Sequence, residues 1–165
     1  MGSSENILKD LSIIIIAFNR PSTLNRNLLY LNSFKINLNL LIADSSKKKI
    51  NLKYKVPYLN IKHLKFEESI DVGDKIFKSS KLVTTKYTVI CPDDDFMNPA
   101  ALVDCVNFFN KNFLEYSAIQ GKIFQHRLLE NVSKVVFSYP YLNNTSETCD
   151  NLVERVKNYL SGKKN

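Results

Sequence analysis

The chain has 165 residues, with 23 lysines and arginines against 16 aspartates and glutamates, so its net charge is +7. A hydrophobic content of 44% and a charged content of 24% are typical of one globular domain with a real core. No apolar run is long enough to span a bilayer, which excludes a transmembrane helix. The basic surplus suits an anionic ligand, a nucleotide or an acidic membrane surface. Only Lys47–Lys49 and Lys163–Lys164 form runs, so we expect most basic residues to be solvated.

Cys91, Cys105 and Cys149 lie far apart without metal-ligand spacing, which indicates reduced thiols in a cytosolic protein. The first residues lack the features of a signal peptide. We interpret residues 1–10 as a tag remnant and lead-in, and residues 11–165 as one domain. We expect a cytoplasmic protein, with association at a membrane surface as an alternative.

The first half of the chain predicts a parallel α/β sheet. Leu11–Phe18 is a continuous apolar run, typical of a strand buried on both faces. Leucines at helical spacing then predict a helix to about Ser33. Leu38–Ala43 predicts a second strand, and the mixed pattern of Leu59–Phe66 predicts a shorter one near the sheet edge. This β-α-β order favours a mostly parallel sheet flanked by helices.

Two helices and a strand are predicted next. The helix between Glu67 and Thr85 has an apolar face composed of Ile76, Phe77, Leu82 and Val83. After a strand that begins at Tyr87, Pro99 opens a second helix. Its core stripe is formed by Leu102, Val106, Phe109 and Phe113.

The last third predicts two strands and a helix. The strands are Ser117–Phe124 and Lys134–Tyr139, with His126 and Arg127 in a polar loop between them. The helix extends from about Asn151 to Leu160.

Three consecutive carboxylates, Asp93, Asp94 and Asp95, follow the strand that begins at Tyr87. Adjacent acids repel one another at neutral pH, so a purely structural segment gains little by clustering them. A divalent cation or hydrogen-bond donors from other loops would offset the repulsion. Ligands of open α/β sheets bind beyond the carboxyl ends of the strands, where these acids are expected. The alternative is a solvated acidic loop.

Polar residues also follow the first two strands, at Asn19–Arg20 and at Asp44–Ser45. The carboxyl ends of parallel strands meet at one edge of the sheet. We therefore predict a nucleotide site there, with one acid near the base or ribose and another holding Mg²⁺ or Mn²⁺ on the phosphates. Such a metal would act as a Lewis acid on the departing diphosphate.

Three segments, Ile13–Arg20, Ala43–Ser46 and Tyr87–Asp95 with Pro99, together resemble family 2 glycosyltransferases of the GT-A fold. The resemblance covers roughly Leu11 to Phe124, the nucleotide-sugar-binding half. It implies a truncated, Rossmann-like GT-A domain that transfers a sugar from a nucleotide-diphosphate sugar, with a UDP-sugar favoured. The reaction would be metal-dependent and inverting, would use Mn²⁺ or Mg²⁺, and would serve cell-surface polysaccharide biosynthesis. The acceptor could be a glycan, a lipid or a protein.

The resemblance also implies roles for particular residues. Asp44 would accept a hydrogen bond from the base, and Lys75 would be a basic contact to the nucleotide. Asp94 would bind the metal, with Asp95 as the second candidate ligand. The other implied nucleotide-binding residues are Ala17, Phe18 and Asn19 at the base and Asp93 near the ribose.

The catalytic base is unknown. The family's base follows the region in which this chain ends. The carboxylates that remain belong to no recognisable motif, and we expect them to be surface charges: Glu115, Glu130, Glu147, Asp150 and Glu154.

Three other functions compete with transfer. The chain could be a nucleotide-binding fragment or an inactive glycosyltransferase-like module. A nucleotidyltransferase is disfavoured because Asn19–Ser22 contains no glycine of a phosphate-binding loop. A nucleic-acid-binding module rests on charge alone, so we expect no nucleic-acid partner. A homo-oligomer or a peripheral membrane contact could cover an exposed apolar face.

Overall fold

The computed structural model describes residues 7–48, 50–121, 123–129 and 132–139, together with 151, 153, 154 and 157. The chain divides into two compact units, Met1–Phe108 and Phe109–Asn165, and each is described by itself.

The first unit is built on a parallel sheet of four strands. These are β1 (Leu11–Ala17), β2 (Leu38–Asp44), β3 (Leu59–Lys65) and β4 (Tyr87–Pro92). Their order is β3-β2-β1-β4, and every neighbouring pair is parallel. The predicted parallel α/β fold, and the position of the third strand at an edge, are therefore confirmed.

Three helices accompany the sheet: α1 (Pro21–Ser33), α2 (Val72–Ser80) and α3 (Pro99–Asn112). A short 3-10 helix, Leu8–Asp10, precedes β1. The helix predicted to end near Ser33 and the helix opened by Pro99 are confirmed at those residues.

The apolar run of β1 is buried on both faces, as its composition predicts. Ile13 and Ile15 lie in the larger core cluster, which includes three of the four leucines of α1, whereas Ile14 lies in a second cluster with Leu41 and Ala43. Successive side chains of a strand point to opposite faces, so a run that is apolar throughout needs cover on both sides. This double burial makes β1 the centre of the fold.

The apolar face predicted around α2 is wrong for Phe77 and Leu82, whereas Val83, beyond the end of the helix, packs against the second core cluster. Phe77 is 58% exposed and Leu82 is 41% exposed, whereas the buried residues of α2 are Lys75 and Ser79. Residues four apart share one face of a helix, so Lys75 and Ser79 face inward together. The reason is the hydrogen bonding of the Lys75 ammonium inside the protein, which fixes the helix rotation against its apolar pattern.

The core stripe predicted for α3 is correct for its first half. Leu102 and Val106 are buried, whereas Phe113 is 62% exposed. The helix ends at Asn112, so the helical spacing that would have brought Phe113 to the same face stops before it.

The second unit contains an antiparallel pair of strands, β5 (Ile123–Leu129) and β6 (Val132–Tyr139). The predicted strand Lys134–Tyr139 is confirmed within β6, whereas the predicted strand Ser117–Phe124 overlaps β5 only at Ile123 and Phe124. The predicted loop with His126 and Arg127 is wrong, because both residues lie inside β5. Their partners across the ladder are Val135 and Lys134. Backbone pairing does not require apolar side chains, so the polarity of this segment was misleading.

The predicted helix over Asn151–Leu160 lies largely outside the described residues. Val153, Glu154 and Lys157 are helical, and Asn151 Oδ1 accepts hydrogen bonds from the amides of Val153 (3.0 Å) and Glu154 (3.2 Å). No helix in the described part of the chain is long and apolar enough to cross a lipid bilayer.

The packing of α1 predicts that two leucines of this helix contribute very differently to the free energy of unfolding. Leu24 is fully buried, whereas Leu29 is 39% exposed. We expect Leu24→Ala to lower the free energy of unfolding by about 2–5 kcal/mol, because it leaves a cavity in the core. Leu29→Ala is the matched control and should cost less than about 1 kcal/mol. Urea unfolding followed by circular dichroism measures both, and equal losses would contradict this assignment of the core.

Candidate functional site

The strand order reverses between β1 and β4. The chain proceeds from β1 to β2 and β3 on one side of the sheet and then returns to place β4 on the other side of β1. In open α/β sheets, ligands bind at the point where the order reverses, outside the carboxyl ends of the strands. The turns that follow Ala17 and Pro92 lie at this point.

The loops after β1 and β2 are joined by hydrogen bonds through Asn19. Its backbone amide donates to Ser46 Oγ at 2.8 Å, and its Oδ1 accepts from the amide of Lys47 at 2.9 Å. Asn19 has a positive φ of 53°, in the left-handed region that asparagine tolerates better than most residues. Ser45 also donates its amide to the carbonyl of Ala17, at 3.2 Å. The two strand ends therefore form one continuous polar edge.

Asp44, the last residue of β2, organises the loop that follows it. Its carboxylate is fully buried. Oδ1 accepts from the amide of Ser46 at 2.8 Å, and Oδ2 accepts from the amide of Ile50 and from His63 Nε2, each at 3.1 Å. Burial alone would raise the pKa of Asp44, but these hydrogen bonds outweigh it and lower the pKa. Three donors of the protein itself hold the carboxylate in place.

Lys75 carries its ammonium into the same region from α2. Asp71 caps this helix by accepting from the amide of Gly73 at 2.7 Å, which places Lys75 one turn inside it. Lys75 Nζ donates to the carbonyl of Ala17 at 3.2 Å and to Ser45 Oγ at 2.8 Å. Burial lowers its pKa, against the opposing charges of Asp44 and Asp93. The ammonium thus ties the ends of β1 and β2 to α2.

The acidic turn after β4 is fixed by its backbone. The amide of Asp93 donates to the carbonyl of Ile16 at 3.2 Å, which continues the pairing of β4 with β1. From α1, the buried side chain of Asn27 donates to the carbonyl of Asp95 at 2.8 Å and to that of Asp93 at 3.4 Å. The turn is therefore held from two sides.

Arg20 bridges two carboxylates of this turn. Its Nη2 lies 2.5 Å from Asp93 Oδ1, and its Nη1 donates to Asp94 Oδ2 at 2.6 Å. The carboxylate of Asp93 is fully buried, whereas the side chains of Arg20 and Asp94 are 47% and 48% exposed. The hydrogen bond to Asp94 contributes most to the raised pKa of Arg20.

The acids of the turn differ in their surroundings. Burial raises the pKa of Asp93, and the charge of Arg20 is the largest effect that opposes this rise. Within the described residues, neither oxygen of Asp93 has a partner with hydrogen-bond geometry, so the ion pair with Arg20 is its main compensation. Burial and the charge of Asp94 raise the pKa of Asp95. The positive charge of Arg20 therefore favours the ionised forms of Asp93 and Asp95.

The implied divalent cation fits this turn only in part. Asp94 and Asp95 supply the oxygen ligands that Mg²⁺ and Mn²⁺ prefer, and one or two carboxylates suffice when substrate phosphates complete the coordination. However, Arg20 occupies Oδ2 of Asp94. Among the described residues, no three acidic, thiol or imidazole side chains are grouped so that they could hold a metal ion.

The structure places the predicted site residues along one edge of the first unit. The carbonyl of Ala17 and the side chain of Asn19 are engaged within the protein, whereas Phe18 is 46% exposed. Of the carboxylates considered as a base, Glu115 and Glu154 are exposed. Three others lie outside the described residues: Glu130, Glu147 and Asp150.

Three residues of the edge had no role predicted from the sequence: Arg20, Asn27 and His63. Asn27 lies among the buried leucines of α1, and a polar residue within an apolar stripe is a recognisable signal. The sequence signal for His63 is weaker. This residue lies in β3 opposite Ile42 of β2, and its side chain reaches Asp44 at the end of β2. Arg20 could have been identified as the cation nearest a strand end that faces an acidic cluster.

No family model matches the chain, and no curated protein matches it. Among solved structures, the chain is similar to Staphylococcus aureus TarS, with 18% identity and a TM-score of 0.48 over 62% of this chain and 20% of that one. It is likewise similar to residues 1–349 of TarS, with 18% identity and a TM-score of 0.47 over 62% of this chain and 33% of the other. The chain therefore spans a third or less of the structures it resembles. This likeness concerns the course of the backbone alone.

The hydrogen bonds of Asp44 predict a pH-dependent loss of stability in Asp44→Asn. The amide group of asparagine has only one acceptor oxygen, so the free energy of unfolding of this variant should be lower by about 1–3 kcal/mol at pH 7. Because the pKa of Asp44 is lower in the folded chain, its contribution is complete above the unfolded pKa of about 3.9 and is lost as the pH falls towards the lowered value. The difference in free energy of unfolding between the original protein and Asp44→Asn should be constant above about pH 5 and should decrease below about pH 4.

Urea unfolding of both proteins at a series of pH values measures this difference. Glu68→Gln, which removes an exposed carboxylate, is the control and should change stability little at any pH. A difference for Asp44→Asn that increases with acid would contradict the role assigned to its carboxylate.

Proposed function

We propose that the chain is a glycosyltransferase-like domain that binds a nucleotide-diphosphate sugar at the carboxyl edge of β1, β2 and β4. The observation that carries this proposal is the meeting of Arg20, Asp93 and Asp94 beyond β1 and β4, where the strand order reverses. A half-exposed guanidinium and an acidic turn at such a reversal suit a ligand with an anionic centre and a polar sugar.

The nucleotide would lie along the joined loops after β1 and β2. Phe18, which is exposed, offers a ring for stacking, and the loop of residues 45–47 offers backbone groups. In this proposal the backbone of Ala17 and Asn19 lines the base. Asp44 and Lys75, which the resemblance makes direct contacts of the nucleotide, have their polar atoms bonded within the protein and would fix the loops beside the nucleotide. Asp93 lies towards the ribose. A uracil base is favoured by the sequence resemblance.

A divalent cation, Mn²⁺ or Mg²⁺, belongs to this proposal as a ligand of Asp94 and Asp95. It would neutralise the diphosphate as that group departs. The chain's own contribution is to hold the two carboxylates in a turn whose backbone Asn27 and β1 restrain. Arg20 supplies positive charge beside the same acids.

The transfer step would be an inverting displacement on an acceptor that is a glycan, a lipid or a protein. A base must deprotonate the acceptor hydroxyl in such a reaction, and none is assigned here. The second candidate function is therefore nucleotide binding without turnover.

The proposal is tested by titrating the chain with UDP, GDP and CDP, each with and without Mn²⁺. A ligand at 100 times its dissociation constant stabilises the folded state by about 2.7 kcal/mol, which a thermal melt detects. We expect one diphosphate to raise the melting temperature. The Asp94→Ala variant should lose the metal-dependent part of this rise.

Asp104→Ala removes an exposed carboxylate from α3 and is the matched control, for which the rise should persist. If no nucleotide raises the melting temperature at concentrations well above a micromolar dissociation constant, the nucleotide site is refuted. Release of free sugar or transfer to an acceptor, measured separately, distinguishes an enzyme from a module that only binds.

A further inference from the structure

Arg20 occupies the position at which a cation would be bound by the acidic turn. Its two terminal nitrogens lie 2.5 Å from Asp93 Oδ1 and 2.6 Å from Asp94 Oδ2. A planar guanidinium that bridges two carboxylates in this way forms short, charge-assisted contacts. We propose that Arg20 is an internal cation that competes with a divalent metal ion for Asp94, so that either Arg20 or the metal holds this carboxylate.

The location of Arg20 is unfavourable for the helix that it precedes. Arg20 is the N-cap residue of α1, and its side chain makes no capping hydrogen bond. The amino end of a helix carries partial positive charge, which favours acids and disfavours a cation. No acidic residue lies in the first turn of α1 to offset it. The compensation comes from Asp93 and Asp94 instead, which indicates that Arg20 is placed for the acidic turn.

The two carboxylates differ in how readily they can change partner. Asp93 is fully buried, and within the described residues it relies on Arg20 for its charge compensation. Asp94 and Arg20 are each about half exposed, at 48% and 47%. Exposed ion pairs contribute little free energy, so the contact with Asp94 can open while Arg20 stays beside Asp93. A metal ion at Oδ2 of Asp94 would displace the guanidinium, and one at Oδ1 would meet its positive charge.

Exchange at Asp94 would have a consequence for the diphosphate, and this step, like the presence of a metal ion at Asp94, rests on the proposed function. A guanidinium released from Asp94 keeps its fork of N–H donors, which matches phosphate oxygens as well as carboxylates. The same arginine would then hold the acids together in the empty domain and contact the diphosphate in the loaded one.

The competition is tested with Mn²⁺ alone, in the absence of nucleotide. Calorimetric titration compares the original protein with Arg20→Gln, which removes the charge and shortens the side chain so that it no longer reaches Asp94. We expect Mn²⁺ to bind Arg20→Gln at least about tenfold more tightly, as the loss of one charge-assisted contact implies. We also expect Mn²⁺ to raise the melting temperature of Arg20→Gln more than that of the original protein.

Arg26→Gln is the matched control. Arg26 lies on the exposed side of α1 and contacts the ring of Phe96, with 5.4 Å between its Cζ and the ring centroid. Arg26→Gln lowers the net charge by the same amount as Arg20→Gln. If Arg26→Gln also bound Mn²⁺ about tenfold more tightly than the original protein, the effect would come from net charge alone and the proposal would be overturned. The double variant with Arg20→Gln and Asp94→Asn should lose this increase in Mn²⁺ affinity, which would show that the ion binds at Asp94.

A second measurement covers the case in which Arg20→Gln does not fold. Mg²⁺ is titrated into the original protein while the guanidinium nitrogen resonances are followed by NMR, with Arg20→Lys used to assign the signal. The Arg20 signal should shift in proportion to bound Mg²⁺. Mg²⁺ binding at Asp94 that leaves this signal unchanged would refute competition, as would a failure of Mn²⁺ to bind Arg20→Gln more tightly. Nucleotide binding is measured separately, so failure of the nucleotide site leaves this result intact.

Discussion

Charge balance at the carboxyl edge of the sheet is the constraint on which the rest of the structure depends. Two buried carboxylates, Asp44 and Asp93, lie within reach of two cations, Lys75 and Arg20. A buried charge without compensation costs several kcal/mol, so neither pair can lose a member cheaply. The apolar core explains why the strands assemble, whereas these four residues explain how their ends are positioned.

The two pairs achieve their compensation in different ways. Asp44 is held by short-range hydrogen bonds from its own loop and from a neighbouring strand, which gives a rigid part of the edge. Asp93 depends on the charge of one partly exposed arginine. A carboxylate held by fixed donors and a carboxylate balanced by a half-exposed arginine therefore lie at the same edge of the sheet.

The local sequence was sufficient to predict the strand run of β1, the parallel sheet and the acidic turn at the end of β4. These features depend on composition and periodicity within a few residues. Arg20 and Asp94 are 74 residues apart, and no local pattern encodes such a contact. The rotation of α2 was missed for a related reason: Phe77 satisfies the helical pattern, but the buried ammonium of Lys75 decides which face turns inward. The error at His126 arose because strand pairing tolerates polar residues.

Cys91 lies inside the framework of the acidic turn and gives it a natural spectroscopic label. Its thiol is buried, and Sγ lies 3.3 Å from the carbonyl oxygen of Pro92 and 3.5 Å from that of Asp95. Burial raises the pKa of this thiol to about 12, so it keeps its proton at any pH at which the protein is handled. The frequency of an S–H stretching vibration depends on the hydrogen bond that the group donates. Infrared spectra of the unmodified protein can therefore follow rearrangements of this turn without any introduced probe.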